Sequence, residues 1–142
     1  RNSYPNVIFD LSKMSQEIPE VDLDREQMSR VLVNIISNSI DAFEEDQKEK
    51  RIEIATAMSD SGQQVVISIK DNGAGIPEKI ADKIMEPYFS TKKDGTGLGL
   101  PIISQIISEH GGYFRIINCQ PRGALVTIEL PVRQLQVVGT QA

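Results

Sequence analysis

Two asparagines lie inside a stretch whose apolar spacing predicts a long helix. Asn34 and Asn38 are one helical turn apart and share a face, which Asp41 joins one turn further on. Asparagine is a poor residue for a helix interior, because its side chain competes for backbone hydrogen bonds. One interpretation is an amide oxygen that coordinates a hard cation such as Mg²⁺, which prefers oxygen ligands. The other is a solvated polar face, and the spacing alone leaves both open.

A glycine-containing loop follows the second of two alternating apolar segments. It runs from Asp71 to Pro77 and contains Gly73 and Gly75. Glycine lets a backbone take positive φ or approach a ligand closely. A carboxylate at a strand end can also accept a charged hydrogen bond from an exocyclic amine, such as that of adenine. The alternative interpretation is a tight turn stabilised by Asp71 and Asn72.

A second glycine-rich segment leads directly into another predicted helix. Its glycines are Gly95, Gly97 and Gly99, and their spacing fits neither the dinucleotide-binding fingerprint nor the P-loop. Free backbone N–H groups at a helix N-terminus form an anion site. A phosphate-binding role and a merely flexible loop are therefore both open.

The connection before these glycines, residues 86–93, combines an aromatic pair with two lysines. Tyr88 and Phe89 should pack against the protein, whereas Lys92 and Lys93 lie close enough along the chain to meet a phosphate. A surface loop with an aromatic anchor and solvated lysines is the alternative.

The elements that must position these residues follow from hydrophobic periodicity. Hairpin-joined strands with separately grouped helices indicate an α+β fold. We expect a two-layer α/β sandwich, with a mixed sheet of about five strands and about three helices on one face. Asp24 is the predicted N-cap of the first helix, with Gln27 as its capping-box partner. The predicted strands are 7–11, 51–58, 65–71, 113–118 and 124–130, and the predicted helices are 24–45, 78–85 and 98–109.

The 142 residues fit one domain, which we assign to residues 1–131, followed by a tail or linker at 132–142. A net charge of -5 argues against a nucleic-acid partner, and the single cysteine excludes an intramolecular disulfide. The sequence has no signal peptide and no apolar run near the roughly 20 residues of a membrane span. Because the chain begins with Arg1, we expect a piece of a longer protein. We expect this domain to be cytoplasmic, and a membrane-anchored parent stays open.

Together, the four segments resemble the catalytic domain of sensor histidine kinases in order and spacing. That domain is one branch of the Bergerat-fold ATPases, which include gyrase B subunits, MutL-type repair proteins and ninety-kilodalton heat-shock chaperones. The resemblance covers residues 24–130. Within it, residues 34–42 resemble the N box, 71–77 the G1 box, 86–92 the F box and 95–100 the G2 box.

The resemblance implies a protein-histidine kinase that binds ATP or ADP with Mg²⁺. It implies that Asn38 is the Mg²⁺ ligand, that Asn34 lines the phosphate pocket and that Asp71 accepts from the adenine amine. It also implies that Lys92 contacts the γ-phosphate, acting with Asn34 and Asn38 in catalysis. The whole implied nucleotide site is Asn34, Asn38, Asp41, Asp71, Gly73, Gly75, Ile76, Thr91, Lys92, Gly95, Thr96, Gly97, Leu98, Gly99 and Leu100.

Asn34 separates the branches of this family. The gyrase, MutL and chaperone branches have a glutamate there that activates water, and an amide cannot act as such a base. We therefore expect the γ-phosphoryl group to go to a histidine on a separate dimerisation and phosphoacceptor domain of the same protein, absent from this chain. A response regulator would be a partner through the full-length kinase. The alternatives are a self-contained Bergerat-fold ATPase and a nucleotide-dependent docking module.

The sequence departs from the family pattern at two places, and it contains a single histidine. Many members of the family have Lys or Arg where this chain has Asp41, which is expected either to orient Asn38 or to bind a metal-bound water. The lid between Phe89 and Gly95 is short, which resembles the nitrogen-regulation subgroup. His110, the only histidine, precedes two glycines at a predicted helix end. We expect it to cap that C-terminus, where a cation and polar contacts are favourable.

Overall fold

The computed structural model describes residues 6–15, 17–77 and 99–132. In chain order the elements of these ranges are β1 (Val7–Met14), α1 (Arg25–Asp41), β2 (Lys50–Met58), β3 (Gln64–Asp71), α2 (Leu100–Glu109), β4 (Tyr113–Asn118) and β5 (Ala124–Pro131). Their strands form one five-stranded sheet in the order β1-β2-β3-β5-β4. β1 pairs with β2 in parallel, and the other neighbours are antiparallel. The predicted mixed sheet of an α+β fold is confirmed.

One face of this sheet is apolar and packs against both described helices. Alternation along the strands places Ile52, Ile69 and Ile128 on this face, where each is almost fully buried. Burying an isoleucine side chain contributes about 1.5–3 kcal/mol, so this layer is the main source of stability. The buried core comprises Val7, Met28, Val31, Ile35, Ile52, Ile69, Ile103, Ile106, Ile107, Val126, Ile128 and Leu130.

The predicted helices agree with the structure where it describes them, apart from their ends. The carboxylate of Asp24 accepts from the backbone N–H of Gln27 at 3.0 Å, which confirms the N-cap. α1 ends at Asp41 rather than near residue 45, because the Ala42 carbonyl accepts from Ala74 N–H at 2.9 Å instead of continuing the helix. α2 begins at residue 100 rather than 98. The predicted helix at 78–85 and most of the predicted tail lie outside the described residues.

β1 is longer than its apolar run. The sequence predicts strand only over residues 7–11, but pairing with β2 continues to Met14, past a register irregularity between Asp10 and Lys13. Just beyond the strand, the Thr56 hydroxyl accepts from Ser15 N–H at 2.7 Å. No helix in the described ranges is long and apolar enough to cross a membrane.

A single histidine joins one end of each of the two described helices. His110 is the C-cap residue of α2, and its Nε2 accepts from the backbone N–H of Asp24 at 2.9 Å. Because Nε2 accepts, the ring proton is on Nδ1, which donates to the Ile106 carbonyl at 2.8 Å. The expected capping role is confirmed, although the ring that makes both bonds is neutral rather than cationic. The beginning of α1 therefore lies beside the end of α2.

We predict that replacing His110 by Ala lowers the free energy of unfolding by about 1–2 kcal/mol, because both of its hydrogen bonds are lost. Chemical denaturation of the purified chain measures this. Ser108→Ala is the matched control, since Ser108 is exposed at the same helix end. A His110→Ala chain as stable as the control would contradict the bridging role.

Candidate functional site

The predicted site residues of β3 and α1 lie toward one edge of the sheet. β3 ends at Asp71 and β4 at Asn118, while β5, antiparallel to both, begins there at Ala124. α1 ends at the same edge, since Ala74 in the loop after β3 is bonded to the Ala42 carbonyl. The loop after β3 is therefore enclosed between the end of α1 and the β4–β5 turn.

Asp71 is the one buried carboxylate among the described residues, with 4% of its surface exposed. Its Oδ1 accepts from the backbone N–H of Gly73 at 2.9 Å and of Ala124 at 3.3 Å. The Ser39 hydroxyl of α1 also donates to this carboxylate. Burial raises the pKa of Asp71 above its ordinary value, against the opposing effect of these three hydrogen bonds. Three different elements thus fix one desolvated acid at the sheet edge.

Two glycines let the protein close around Asp71. A Cβ on Gly73 would lie 2.7 Å from the Ala42 carbonyl oxygen. Gly123 has φ of +101°, and a Cβ there would lie 2.0 Å from the carbonyl oxygen of Asp71. Only glycine fits at such a distance and conformation. The close approach that Gly73 permits is therefore, in this structure, an approach to the end of α1.

Three residues of this edge were missed by sequence reasoning. Ser39 occupies a core position of α1, and a hydroxyl in an otherwise apolar stripe was the available signal. Asn118 bonds to the backbone of Ile76, and the Arg122 Nε donates to the Gly73 carbonyl at 3.0 Å. Arg122 also forms an ion pair with Glu44, beyond the end of α1. These partners are far apart in sequence, so no local pattern indicates them.

The polar face of α1 is present as predicted. Asn34 and Asn38 are half-buried and Asp41 is exposed, and all three lie in the C-terminal half of the helix. The Asn34 amide donates to the Arg30 carbonyl at 2.8 Å. Within the described residues, no side chain or backbone group bonds to the Asn38 amide. Asn38 is thus available to a ligand that approaches the end of α1.

The second glycine-rich segment is described only at its end. Gly99 is the N-cap of α2 and Leu100 its first residue, packed against the core. Six predicted site residues lie outside the described residues, namely Thr91, Lys92, Gly95, Thr96, Gly97 and Leu98.

Comparison with known proteins identifies the family. The model of the "Histidine kinase-, DNA gyrase B-, and HSP90-like ATPase" family matches residues 23–134. The chain belongs to this family. Within it, the chain is 34% identical to the catalytic domain of histidine kinase ThkA, with a TM-score of 0.72 over 89% of this chain and 79% of that one. It is thus an ATP-binding catalytic domain of the histidine-kinase branch.

Curated relatives of this ATP-binding domain are sensor kinases. The chain is 38% identical over 122 residues to the signal transduction histidine-protein kinase AtoS of Escherichia coli K12, covering 86% of the chain and 19% of AtoS. It is 35% identical over 145 residues to the nitrogen regulation protein NtrY of Azorhizobium caulinodans, covering all of the chain and 18% of NtrY. A structure of ThkA in complex with response regulator protein TrrA matches with a TM-score of 0.69, at 30% identity over 90% of this chain and 35% of that one. The chain spans about a fifth of the length of AtoS and NtrY.

The raised pKa of Asp71 in this ATP-binding domain has a consequence for stability. An acid whose pKa is higher in the folded chain binds its proton more tightly there, so the free energy of unfolding falls as pH rises from the unfolded to the folded pKa. Asp71→Asn removes this contribution to the pH dependence of the free energy of unfolding. We predict that the stability of the variant improves relative to wild type as pH rises from about 3 to about 7, the range where carboxyl groups titrate. Urea denaturation across this range measures it.

Asp10→Asn is the control with the opposite sign. The Ser12 hydroxyl and backbone N–H donate to Asp10 and, with the charges of Arg51 and Lys13, lower the pKa of that carboxyl. The contribution of Asp10 to stability is lost as pH falls. The free energy of unfolding of Asp10→Asn should therefore decrease relative to that of wild type as pH rises. The stability difference between Asp71→Asn and wild type could instead stay constant with pH or change in the same direction as that of Asp10→Asn. Burial would then not be the dominant effect on the pKa of Asp71.

Proposed function

We propose that this chain presents Mg-ATP for transfer of the γ-phosphoryl group to a histidine on a separate dimerisation and phosphoacceptor domain of the same protein. The observation that carries the proposal is the buried Asp71, fixed by three elements in a domain of histidine-kinase type. A carboxylate held in this way is suited to accept from the exocyclic amine of adenine. Gly73, Gly75 and Ile76 then lie alongside the base.

The phosphoacceptor must lie outside this chain. His110 is the only histidine of the sequence, and both of its ring nitrogens are engaged within the fold. A ring that joins two helix ends is not presented to a phosphoryl group. The chain makes up only about a fifth of the length of the histidine kinase AtoS, which leaves room for such a domain in the parent protein. The complex of ThkA with a response regulator supports such a regulator as the partner of the parent protein.

Asn38 is the proposed Mg²⁺ ligand. Within the described ranges there is no group of three or more His, Cys, Asp or Glu side chains that could hold a metal ion by themselves. Mg²⁺ commonly binds one or two protein oxygens together with phosphate oxygens, and an amide oxygen at the end of α1 fits that requirement. When bound, the ion would neutralise phosphate charge and hold the triphosphate in line for transfer. Asp41 stays a predicted neighbour of this ligand.

The position of Asn34 favours holding ATP over hydrolysing it. Its amide donates to a carbonyl of its own helix and cannot take a proton from water at neutral pH. The remaining phosphate contacts are predicted from sequence, with Lys92 and Thr91 before the glycines and backbone N–H groups from Gly95 to Leu100. We place the domain on the cytoplasmic side, where ATP is available.

Transfer in trans tests the proposed function. We expect the chain to phosphorylate a fragment of the parent protein that carries the phosphoacceptor histidine when γ-labelled ATP and Mg²⁺ are supplied. We also expect the chain alone to release no phosphate above background. Asn38→Ala should abolish both the transfer and the Mg²⁺ dependence of ATP affinity. Appreciable steady-state hydrolysis by the isolated chain would instead favour a self-contained ATPase.

Asp71→Asn tests the base contact separately from the transfer. A hydrogen bond to a charged group contributes about 1.5–3 kcal/mol, so we expect the variant to lose about ten- to a hundredfold in ATP affinity. GTP affinity should change little, which abolishes the preference for adenine. Calorimetric titration of both nucleotides in the presence of Mg²⁺ gives the ratio. An unchanged preference for ATP would mean that Asp71 does not contact the base.

A further inference from the structure

We infer that Asn118, at the end of β4, is a positioning residue that holds the Ile76 peptide in place for the nucleobase. The inference rests on the proposed function, in which Asp71 and Ile76 flank adenine. Asn118 itself need not touch the nucleotide. Its effect is on the backbone of the loop after β3, and it acts through Ile76.

The contact between Asn118 and Ile76 is made at two points. The Asn118 Oδ1 accepts from the Ile76 N–H at 2.7 Å, and its Nδ2 donates to the Ile76 carbonyl at 3.0 Å. One side-chain amide therefore satisfies both backbone groups of one residue, as a strand partner would. A two-point contact fixes the orientation of the peptide as well as its position, which a single bond does not.

The path of the loop explains why the residue at this position matters. The loop leaves β3 at Asp71, passes the beginning of β5 and reaches the end of β4 at Ile76. Bonds from Ala124 and Arg122 fix its first half, at Asp71 and Gly73. In the second half, the bonds to the described strands come from Asn118. The distance between the two base-contacting residues therefore depends on this side chain.

The loop is also pressed against Asn118. Gly75 has φ of +81°, and a Cβ there would lie 2.9 Å from the Asn118 Oδ1 and 3.2 Å from the Gly123 carbonyl oxygen. A side chain at position 75 would push the loop off the amide, so the glycine and the asparagine depend on each other. The Asn118 side chain is exposed, so it contributes little to the packing of the core. Its main contribution is to limit the conformations of the loop before the nucleotide arrives, which reduces the entropic cost of binding.

Asn118→Ala removes both bonds without altering Asp71. We expect the dissociation constant for ATP to rise about fivefold, the change that follows from a loss of about 1 kcal/mol. The dissociation constant for GTP should rise less, because guanine has a carbonyl oxygen where adenine has its amine and gains less from a base held close to Asp71. The ATP-to-GTP preference should therefore fall. Hydrogen exchange at the Ile76 amide should become faster in the nucleotide-free variant. Calorimetry and exchange measurements on the whole chain give these values.

Two further variants make the test decisive. Gln120→Ala, an exposed position in the same turn, should behave as wild type in every measurement. Asn118→Asp keeps the acceptor for the Ile76 N–H but sets an oxygen against the Ile76 carbonyl, so it too should lose preference for ATP. It also keeps the size of the side chain if Asn118→Ala fails to fold.

The outcomes separate this inference from the proposed function. If wild type prefers ATP and Asp71→Asn abolishes that preference, but the Asn118 variants keep it, the inference is wrong and the base contact stands. If wild type shows no preference for ATP over GTP, the base contact of the proposed function fails, and the inference fails with it. A loss of stability in the Asn118 variants with an unchanged preference would show a purely structural role.

Discussion

The burial of one carboxylate is the constraint on which the rest of this structure depends. Taking a charged group out of water costs several kcal/mol unless donors surround it, and the donors to Asp71 come from α1, from its own loop and from β5. α1 must therefore end against the loop, and β5 must begin beside β3. Gly73 and Gly123 are needed because the chain comes too close for a side chain at either position. The geometry of the site is thus largely the geometry of solvating Asp71.

The directions of the strands and of α1 bring these donors to Asp71. β3 and β4 both run toward the site, β5 starts from it, and α1 ends at it. The bond between His110 and Asp24 joins the end of α2 to the beginning of α1. The end of α1 and the Asp71 carboxylate therefore lie at one edge of the sheet.

Much of this could be predicted because the signals are local. Alternating apolar residues in β2, β3 and β5 identify the strands, and Asp24 identifies the start of α1, since each depends on near neighbours in the chain. The ends of α1 and β1 could not be predicted, because a bond from Ala74 sets the first and pairing with β2 sets the second. Within the candidate site, Asp71 and the loop glycines could be proposed from their residue types. Ser39, Asn118 and Arg122 were missed, because their roles arise only from contacts between distant segments.

The raised pKa of Asp71 indicates how stability and function are balanced in this domain. An acid kept only for folding would be expected where its charge is favoured, as at Asp10, where Ser12 and two cations lower the pKa. Asp71 is instead held where burial opposes its charge even with three donors. Such a position is costly for the fold and is typical of a functional site, where the proposed adenine would bring one further donor. Nucleotide binding would therefore stabilise the loop after β3 most strongly at Asp71. Asn118 then matters because it holds the far end of that loop ready for the base.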